Sequence, residues 1–487
     1  MPATPFFAAW RPRLAPWRGR ATKTLRQLRA HTLCQLETCL GHWLPADLFP
    51  KAAAQANSRD RDYTRGRTFW CMLWQSLHPD SSGREVVRQL QAALLLASGP
   101  RISPEDGAYC RAKARLPLGE FSKALTATAT AARRQAPDLP ALQGRPVKVM
   151  DGSAITLPDT PANRKTYPPL QCPHQPSFPM LRLVVLFCLA SGAITALAQG
   201  SLAISELALF NSLLNQLAKG DILLGDRGFG CFPVLARLQA AGIDFIGRTT
   251  RHLDGRRRVK RLAKNDWLVR WRRSATPSPW LTPEQWAKLP EEMTLRVVKG
   301  RVQQKGFRVR QVTLVTTLLD PERYPAAEIL QAYWWRWRLE MCLDDLKTTL
   351  KLDRLRSQSP AMAQRELYAR LIAHNLVRCL MAQAAAEQQV ALDRISFKGS
   401  LDALRHFAQA LSRARTRQQR RELWAELLHT LAADLVPERP GRREPRAVKR
   451  KKTKYPRLNV SRHRFRDRLK RHTRRKLARL RKLGLVM

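Results

Sequence analysis

Two aspartates follow short apolar runs, and such positions suit catalytic carboxylates. Asp151 follows the β-prone run 147–150, and Asp226 follows the run 222–225. A carboxylate at the end of a strand is held rigidly and can still reach into a cleft. Either aspartate alone also fits an ordinary turn, because both are followed closely by glycine. Asp159 is a weaker alternative to Asp151.

A third acid, Glu340, lies on a long helix that is predicted to begin after two prolines. At about 100° per residue, three more polar side chains project from its side of that helix, namely Tyr333, Arg336 and Lys347. The aromatic residues beside this stripe indicate that it faces a polar ligand. The alternative is a solvated face with an i,i+4 ion pair between the arginine and the glutamate. Asp344 lies on nearly the same face and competes as the third acid.

Three carboxylates of this kind suit the cleavage of phosphodiester bonds. Two Mg²⁺ ions about 4 Å apart activate the attacking oxygen and stabilise the leaving one. Because Mg²⁺ prefers oxygen ligands and keeps several waters, three acids suffice to hold the ions. The composition also indicates a polyanionic partner, since 87 Lys and Arg residues face 38 Asp and Glu, a net charge of +49. Nucleic acid is the commonest such partner, and an anionic membrane surface is the alternative.

Together the motifs resemble those of the DDE transposases of bacterial insertion sequences. The matching segments are Met150-Asp151-Gly152-Ser153, Leu223-Leu224-Gly225-Asp226-Arg227-Gly228-Phe229 and Tyr333-x2-Arg336-x3-Glu340-x6-Lys347. The last spacing is the signature of insertion sequence family four. The resemblance extends over roughly residues 60 to 410 and leaves the basic C-terminal tail unexplained.

The resemblance implies an α/β fold with an RNase H-like mixed-sheet catalytic core, a β-rich insertion, a helical N-terminal domain and a helical C-terminal region. It implies that Asp151, Asp226 and Glu340 bind two Mg²⁺ ions, or Mn²⁺ in their place. The residues implied to bind DNA are Tyr333, Arg336, Lys347, Arg248 and Arg227.

The resemblance also implies an activity and its partners. Family members cut double-stranded DNA at the inverted-repeat ends of the transposon and transfer the strands to target DNA, often through a hairpin intermediate. They act as homodimers on paired ends. A tryptophan of the insertion can receive a flipped base, and the candidates, predicted in loops and at strand edges, are Trp267, Trp271, Trp280 and Trp286.

The alternative to an active transposase is a catalytically inactive or domesticated sequence-specific DNA-binding protein derived from a transposase. A structural nuclease or integrase relative is a further alternative, against which the Tyr-Arg-Glu-Lys spacing argues.

Composition and periodicity divide the chain into six regions. The predicted regions are a helical N-terminal domain (1–145), the first part of the catalytic core (146–248), a β-rich insertion (249–320), the remainder of the core with the glutamate helix (321–360), a helical C-terminal region (361–436) and a strongly basic tail (437–487). The N-terminal domain is predicted to bind DNA, although a helical bundle with a solvated basic face fits equally well. The tail carries 22 Lys and Arg residues against 3 Asp and Glu.

The remaining composition favours a cytoplasmic, nucleoid-associated protein without a membrane partner. The nine cysteines are scattered, so neither a disulfide framework nor a zinc site is expected. The N-terminus has no evident signal peptide. The uncharged stretch 183–205 approaches the length of a membrane span, but the dipeptide Ser191-Gly192 divides it into two β-prone runs, which predicts a buried hairpin.

Overall fold

The computed structural model of the protein describes residues 34–49, 62–96, 99–169, 178–249, 258–301, 311–437, 460 and 462–482. Parts of four predicted regions lie outside the described residues: 1–33, 50–61 and 97–98 of the N-terminal domain, 170–177 of the first part of the core, 250–257 and 302–310 of the insertion, and 438–459, 461 and 483–487 of the tail. The described residues divide between two compact units. The first unit takes those within Met1–Ala131, Tyr368–Val390 and Ile395–Asp434, and the second takes those within Ala132–Leu367, Ala391–Arg394 and Leu435–Met487.

The helices of the described residues are α1 (Cys34–Leu40), α2 (Arg65–Leu77), α3 (Gly83–Leu96), α4 (Gly107–Arg115), α5 (Leu118–Gln135), α6 (Pro161–Thr166), α7 (Glu206–Asn211), α8 (Phe232–Ala240), α9 (Pro283–Ala287), α10 (Ala326–Asp344), α11 (Pro360–Glu387), α12 (Phe397–Arg413), α13 (Arg417–Ala433) and α14 (Arg462–Lys482). The strands are β1 (Val147–Thr156), β2 (Met180–Cys188), β3 (Ile194–Ser201), β4 (Ile222–Gly225), β5 (Asp244–Gly247), β6 (Arg258–Ala263), β7 (Asp266–Arg272), β8 (Glu292–Gly300) and β9 (Val312–Thr316).

The second unit is built on one mixed sheet with the strand order β3-β2-β1-β4-β5-β9-β8-β7-β6. Strands β1, β4 and β5 are parallel neighbours, and all other neighbouring pairs are antiparallel. The predicted hairpin is confirmed as β2 and β3. The strands of the predicted insertion, β6 to β9, continue the same sheet because β9 pairs with β5.

The two faces of this sheet carry different side chains. Met150, Leu223 and Phe245 belong to one large apolar cluster, which includes residues of α7 and α8 and defines the Met150 face. Because successive side chains of a strand point to opposite faces, the neighbours of Met150 belong to the other face, the Asp151 face. Burial of the cluster removes the Met150 face from water and is the main stabilising contribution of this unit.

The long helix α10 lies on the Asp151 face. A Cβ atom at Gly300 would lie 2.3 Å from the Leu330 side chain of α10. Gly300 is three residues from Val297, which belongs to the Met150-face cluster, so Gly300 points to the opposite face. Pro325 precedes the helix, where its fixed φ and missing N–H are tolerated. The helix ends in a π-helical turn, Asp345–Thr349, a local widening that is frequent at functional sites.

The first unit is helical in its described residues, as predicted for its N-terminal part. Three phenylalanines, Phe49, Phe69 and Phe121, form a core with ring centroids 4.9 to 6.2 Å apart. None of the helices among the described residues of either unit is both long and apolar enough to cross a membrane.

The local sequence predicts a helix that begins near Ser103, where an N-cap residue precedes a proline, and another over 205–219 that ends before Gly220. Both predictions are wrong in extent. The helix expected to begin near Ser103 begins at Gly107, because the Ser103 hydroxyl accepts the N–H of Glu105 and forms a local turn. The helix expected over 205–219 ends at Asn211. The Asp221 carboxylate accepts the N–H of Ala218, 2.8 Å away, and so turns the chain toward β4.

Candidate active site

The register between β1 and β4 brings two of the predicted acids together. Val149 is paired with Leu224 in this parallel ladder. Asp151 lies two residues after Val149, and Asp226 lies two residues after Leu224, directly after the end of β4. Both side chains therefore belong to the Asp151 face. Neighbouring strands are about 4.8 Å apart, which places the two carboxylates side by side at the carboxyl edge of the parallel strands.

The surroundings of Asp151 act on its charge in opposite directions. Burial raises the pKa of Asp151, and the neighbouring Asp226 carboxylate raises it further. The N–H of Gly152 donates to Asp151 Oδ1 over 2.8 Å and lowers the pKa, as do the charges of Arg336 and Lys347. Two acids and two bases therefore lie within electrostatic range of one another on this face.

The loop after β4 holds Asp226 through backbone hydrogen bonds. The N–H groups of Gly228 and Phe229 donate to Asp226 Oδ1 over 2.8 and 3.3 Å. A Cβ atom at Gly230 would lie only 1.8 Å from the carbonyl oxygen of Arg248, so only glycine fits there. This contact joins the loop after β4 to the residue that follows β5, and Arg248 is exposed beside the site.

The polar stripe of helix α10 lies in two different environments. Tyr333 and Arg336 are buried, with 7% and 9% of their surfaces exposed. The side chain of Glu340 is 54% exposed and accepts a hydrogen bond from Arg336 Nη2 over 2.9 Å. The guanidinium carbon lies 5.6 Å from the centre of the Tyr333 ring. Half-buried Lys347 lies on the π-helical turn that follows.

Electrostatics connects the helix to the sheet. Burial is the largest effect on Tyr333 and raises its pKa overall. The charges of Arg336 and Arg248 lower the pKa of Tyr333, and the charge of Asp226 raises it. Among the described residues, no three His, Cys, Asp or Glu side chains form a group that could hold a metal ion. The structure therefore brings Asp151 and Asp226 together with Arg336, while Glu340 is bonded to that arginine.

Comparison with known proteins identifies the chain. The family described as Transposase DDE domain matches residues 142–376, which include all three predicted acids. The transposase InsG for insertion sequence element IS4 of Escherichia coli (strain K12) is 26% identical over 427 residues, covering 86% of this chain and 93% of InsG. Residues 142–376 thus match a transposase DDE domain, and most of the chain is similar to a transposase of an IS4 element. These similarities imply an enzyme that cuts DNA and transfers strands, and DDE transposases generally use divalent metal ions.

More distant likenesses cover less of the transposase or are weaker. The putative transposase InsL for insertion sequence element IS186A of Escherichia coli (strain K12) is 34% identical over 80 residues, 16% of this chain and 22% of InsL. The transposase for insertion sequence element IS421 of Escherichia coli matches to the same extent. A structure of the piggyBac transposase synaptic complex with hairpin DNA covers 83% of both chains with 10% identity and a TM-score of 0.37, a likeness too low to carry an argument.

The transposase has a fourth carboxylate near β1 that the sequence did not single out. A Cβ atom at Gly152 would lie 2.7 to 2.9 Å from the carboxyl group of Glu206. Gly152 follows Asp151 in the strand, so Glu206 lies over the Met150 face. The strand itself separates this carboxylate from Asp151 and Asp226.

The two alternative acids, Asp159 and Asp344, lie in surroundings that differ from those of Asp151 and Asp226. The Asp159 side chain is 4% exposed and forms an ion pair with Arg164, and His463 Nδ1 lies 3.6 Å from its carboxylate. Asp344 is exposed at the end of α10.

The tryptophans of the transposase insertion are more buried than predicted. Trp267 and Trp271 lie within β7, are 5% and 3% exposed, and belong to the apolar cluster of the Met150 face. The expectation that they lie in loops or at strand edges is therefore wrong, because alternate residues of β7 face the core. Trp280 and Trp286 are partly buried and pack against the same cluster. Arg227 is exposed beside Asp226.

Proposed function

We propose that this transposase excises its element by cut-and-paste transposition, with Asp151, Asp226 and Glu340 as the catalytic carboxylates. The observation that carries the proposal is the adjacent placement of Asp151 and Asp226 on one face of the sheet, under the helix that bears Glu340. The five strands in the order β3-β2-β1-β4-β5, with β2 antiparallel to β1, would form the RNase H-like core.

The chemistry of these donors fits divalent metal ions. Two adjacent carboxylates repel each other, which is visible in the effect of Asp226 on the pKa of Asp151, and a cation between them would remove that repulsion. Their oxygens are the ligands that Mg²⁺ prefers, and Mn²⁺ would substitute. Glu340 would be the third ligand once it leaves Arg336. Two bound ions would supply activation of the attacking oxygen and stabilisation of the leaving oxygen.

The cations around the acids are proposed to hold DNA phosphates. Arg336 and Tyr333 are buried beside the acids, and Lys347 acts on the charge of Asp151. Arg227 and Arg248 are exposed next to the two loops that carry the site. Phosphate contacts of this kind fix the register of the duplex and hold the reacting bond near the carboxylates.

The proposed partners are double-stranded DNA of the transposon ends and of the target, together with a second copy of the chain in a synaptic homodimer. A hairpin intermediate would let a single site cut both strands. We place this activity in the cytoplasm, on the nucleoid. Either partly buried tryptophan, Trp280 or Trp286, remains a candidate to receive a flipped base.

The test is a cleavage assay on a duplex that carries the DNA flanking the gene, with Mg²⁺ or Mn²⁺. Asp226→Asn should lower the cleavage rate by about a thousandfold or more, because lost metal-centred stabilisation costs several kcal/mol and about 1.4 kcal/mol is a factor of ten. Glu206→Gln is the matched control, since it removes a carboxylate that lies over the opposite face of the sheet, beside Gly152 of β1. It should cleave within a few-fold of the unmodified protein.

Equal cleavage by Asp226→Asn and by the unmodified protein would refute the proposed site. Binding of the flanking DNA without any metal-dependent cleavage by the unmodified protein would instead support the inactive, DNA-binding alternative. DNA affinity should fall steeply as salt rises, because counterion release drives binding to a chain with a net charge of +49. Removal of residues 437–487 should weaken non-specific binding and leave cleavage of pre-bound ends intact.

A further inference from the structure

Arg336 is a buried arginine whose hydrogen-bonding edge is half used. Its Nη2 donates to Glu340 Oε1 over 2.9 Å. Its Nε lies on the same edge of the guanidinium and is buried, and it has no hydrogen-bond partner among the described residues. A buried donor without a partner is destabilising, so this edge is suited to a ligand with two acceptor oxygens.

We propose that Arg336 is a DNA-sensitive latch on the third carboxylate: a DNA phosphate takes the Nε and Nη2 edge of Arg336 and thereby releases Glu340 to join Asp151 and Asp226. This inference rests on the proposed function, because it assumes that these three acids bind the metal ions. It adds that the metal site is completed only when DNA is in place.

The geometry makes the two bonds of Arg336 alternatives. A phosphate accepts both N–H groups of one guanidinium edge, and this bidentate arrangement uses the Nη2 that Glu340 now occupies. The Arg336 charge already acts on Asp151 and on Tyr333, so a phosphate held there would lie beside the other two elements of the site.

The energies favour the exchange. The Glu340 side chain is 54% exposed, and its bond to Arg336 is an i,i+4 pair on one helix. Water competes for the exposed carboxylate of Glu340 and weakens the pair. A phosphate would satisfy the buried Nε as well as Nη2, and a released Glu340 would gain a divalent cation. The latch is therefore weak enough for DNA to open it.

A latch of this kind couples two binding events. Thermodynamic linkage requires that DNA raise the affinity for metal by the same factor by which metal raises the affinity for DNA. The expected factor is about tenfold, within the usual range for coupled sites. The benefit to the transposase is that DNA cleavage chemistry is assembled only on a correctly placed strand.

The experiment measures Mn²⁺ affinity of the full chain by calorimetry, without DNA and with saturating short duplex that is already cut at the element end. DNA should tighten Mn²⁺ binding by about tenfold in the unmodified protein. Arg336→Gln should bind Mn²⁺ without DNA about as tightly as the unmodified protein does with DNA, and DNA should change its affinity less than twofold. The heat of Mn²⁺ binding to duplex alone is subtracted.

Glu206→Gln is the matched control. It removes a charged side chain that lies beside Gly152 on the opposite face of β1, and it leaves the bond between Arg336 and Glu340 in place. It should keep the full tenfold response to DNA. An Arg336→Gln variant that retains the DNA response, or a Glu206→Gln variant that loses it equally, would overturn the latch.

Two further variants separate failure of the latch from failure of the proposed site. Asp226→Asn and Glu340→Gln should both weaken Mn²⁺ binding in the presence of DNA. If neither does, the three acids are not the metal site and the proposed function fails with the latch. If both do and the unmodified protein shows no response to DNA, only the latch is wrong.

Discussion

Two arginine–carboxylate pairs in the second unit use the same chemistry in opposite ways. Arg296 is fully buried, and its Nε and Nη2 both donate to the carboxylate of Asp266, while Nη1 donates to the carbonyl of Tyr324 over 2.7 Å. Arg336 uses only Nη2 toward Glu340, and its Nε has no partner among the described residues. The first pair is complete, and the second is half complete.

This difference in hydrogen bonding distinguishes an ion pair that stabilises the fold from one that can still bind a ligand. Asp266 begins β7 and Arg296 lies in β8, so their bond ties two strands to the segment before α10. Arg336 and Glu340 lie one turn apart on α10 and tie together nothing that the helix does not already hold. Arginine burial alone therefore does not indicate function, whereas an unfilled donor beside two carboxylates does.

The largest effect on stability should come from the complete pair. Asp266→Ala should lower the free energy of unfolding by about 3–5 kcal/mol, because it leaves the Arg296 charge buried without a counter-charge. Urea unfolding, followed by tryptophan fluorescence, measures the change. The double change Asp266→Leu with Arg296→Met should cost much less, since no charge is stranded. A loss below about 1 kcal/mol for Asp266→Ala would show that this pair is no more structural than the exposed one.

The buried histidine His374 should affect stability differently from both arginine–carboxylate pairs. In the first unit His374 stacks on Phe397 at 5.2 Å, and its Nε2 has no partner among the described residues. Burial, with a smaller effect of Arg378, lowers the pKa of His374 to about 3. The unfolded chain binds this proton near pH 6.5, so the free energy of unfolding should fall by about 1.4 kcal/mol per pH unit as pH drops from 6.5 toward 3.

The variant His374→Phe isolates this contribution from that of the other titrating groups. Its unfolding free energy should depend less on pH, and the difference from the unmodified protein should grow by about 2 kcal/mol between pH 6.5 and 5. Urea titrations at both pH values measure it. Parallel pH profiles of the two proteins would mean that His374 is not held neutral by burial.

The smallest effect on stability is expected at the half-complete pair. Glu340→Gln should change the free energy of unfolding by less than about 1 kcal/mol, because the glutamate is 54% exposed and the amide oxygen of glutamine can still accept the bond from Arg336. The same urea titration measures it beside Asp266→Ala. A loss as large as that of Asp266→Ala would make the pair structural and would remove the contrast on which the latch depends.

The sequence predicted the strands near the proposed acids better than it predicted the helix ends. The apolar run before Asp226 is β4, which ends where expected, whereas Asp151 lies inside β1, which continues to Thr156. The spacing from Tyr333 to Glu340 placed three polar residues on α10, and Lys347 lies on the π-helical turn after it. The start of the helix near Ser103 was missed because a side-chain hydrogen bond forms a local turn there, and the helix expected over 205–219 ends early, at Asn211.

Other features depended on contacts between distant segments. The burial of Trp267 and Trp271 follows from the pairing of β7 with β8, and no local pattern distinguished it from an edge position. The side of β1 on which Glu206 lies follows from the packing of α7 on the Met150 face. Glu206 is one acid among 38 Asp and Glu residues, and its first-turn position in a short helix gave no sign of its nearness to Gly152.

The sequence by itself determined the resemblance to the DDE transposases, the expectation of a polyanionic partner and the identity of the proposed acids, since these depend on residue types and spacing along one strand or helix. Only the tertiary structure decided which acids share a face and which arginine is already satisfied. Strand register and the packing of α10 set those relations, and both arise from contacts between residues more than a hundred positions apart in the case of Asp151 and Arg336.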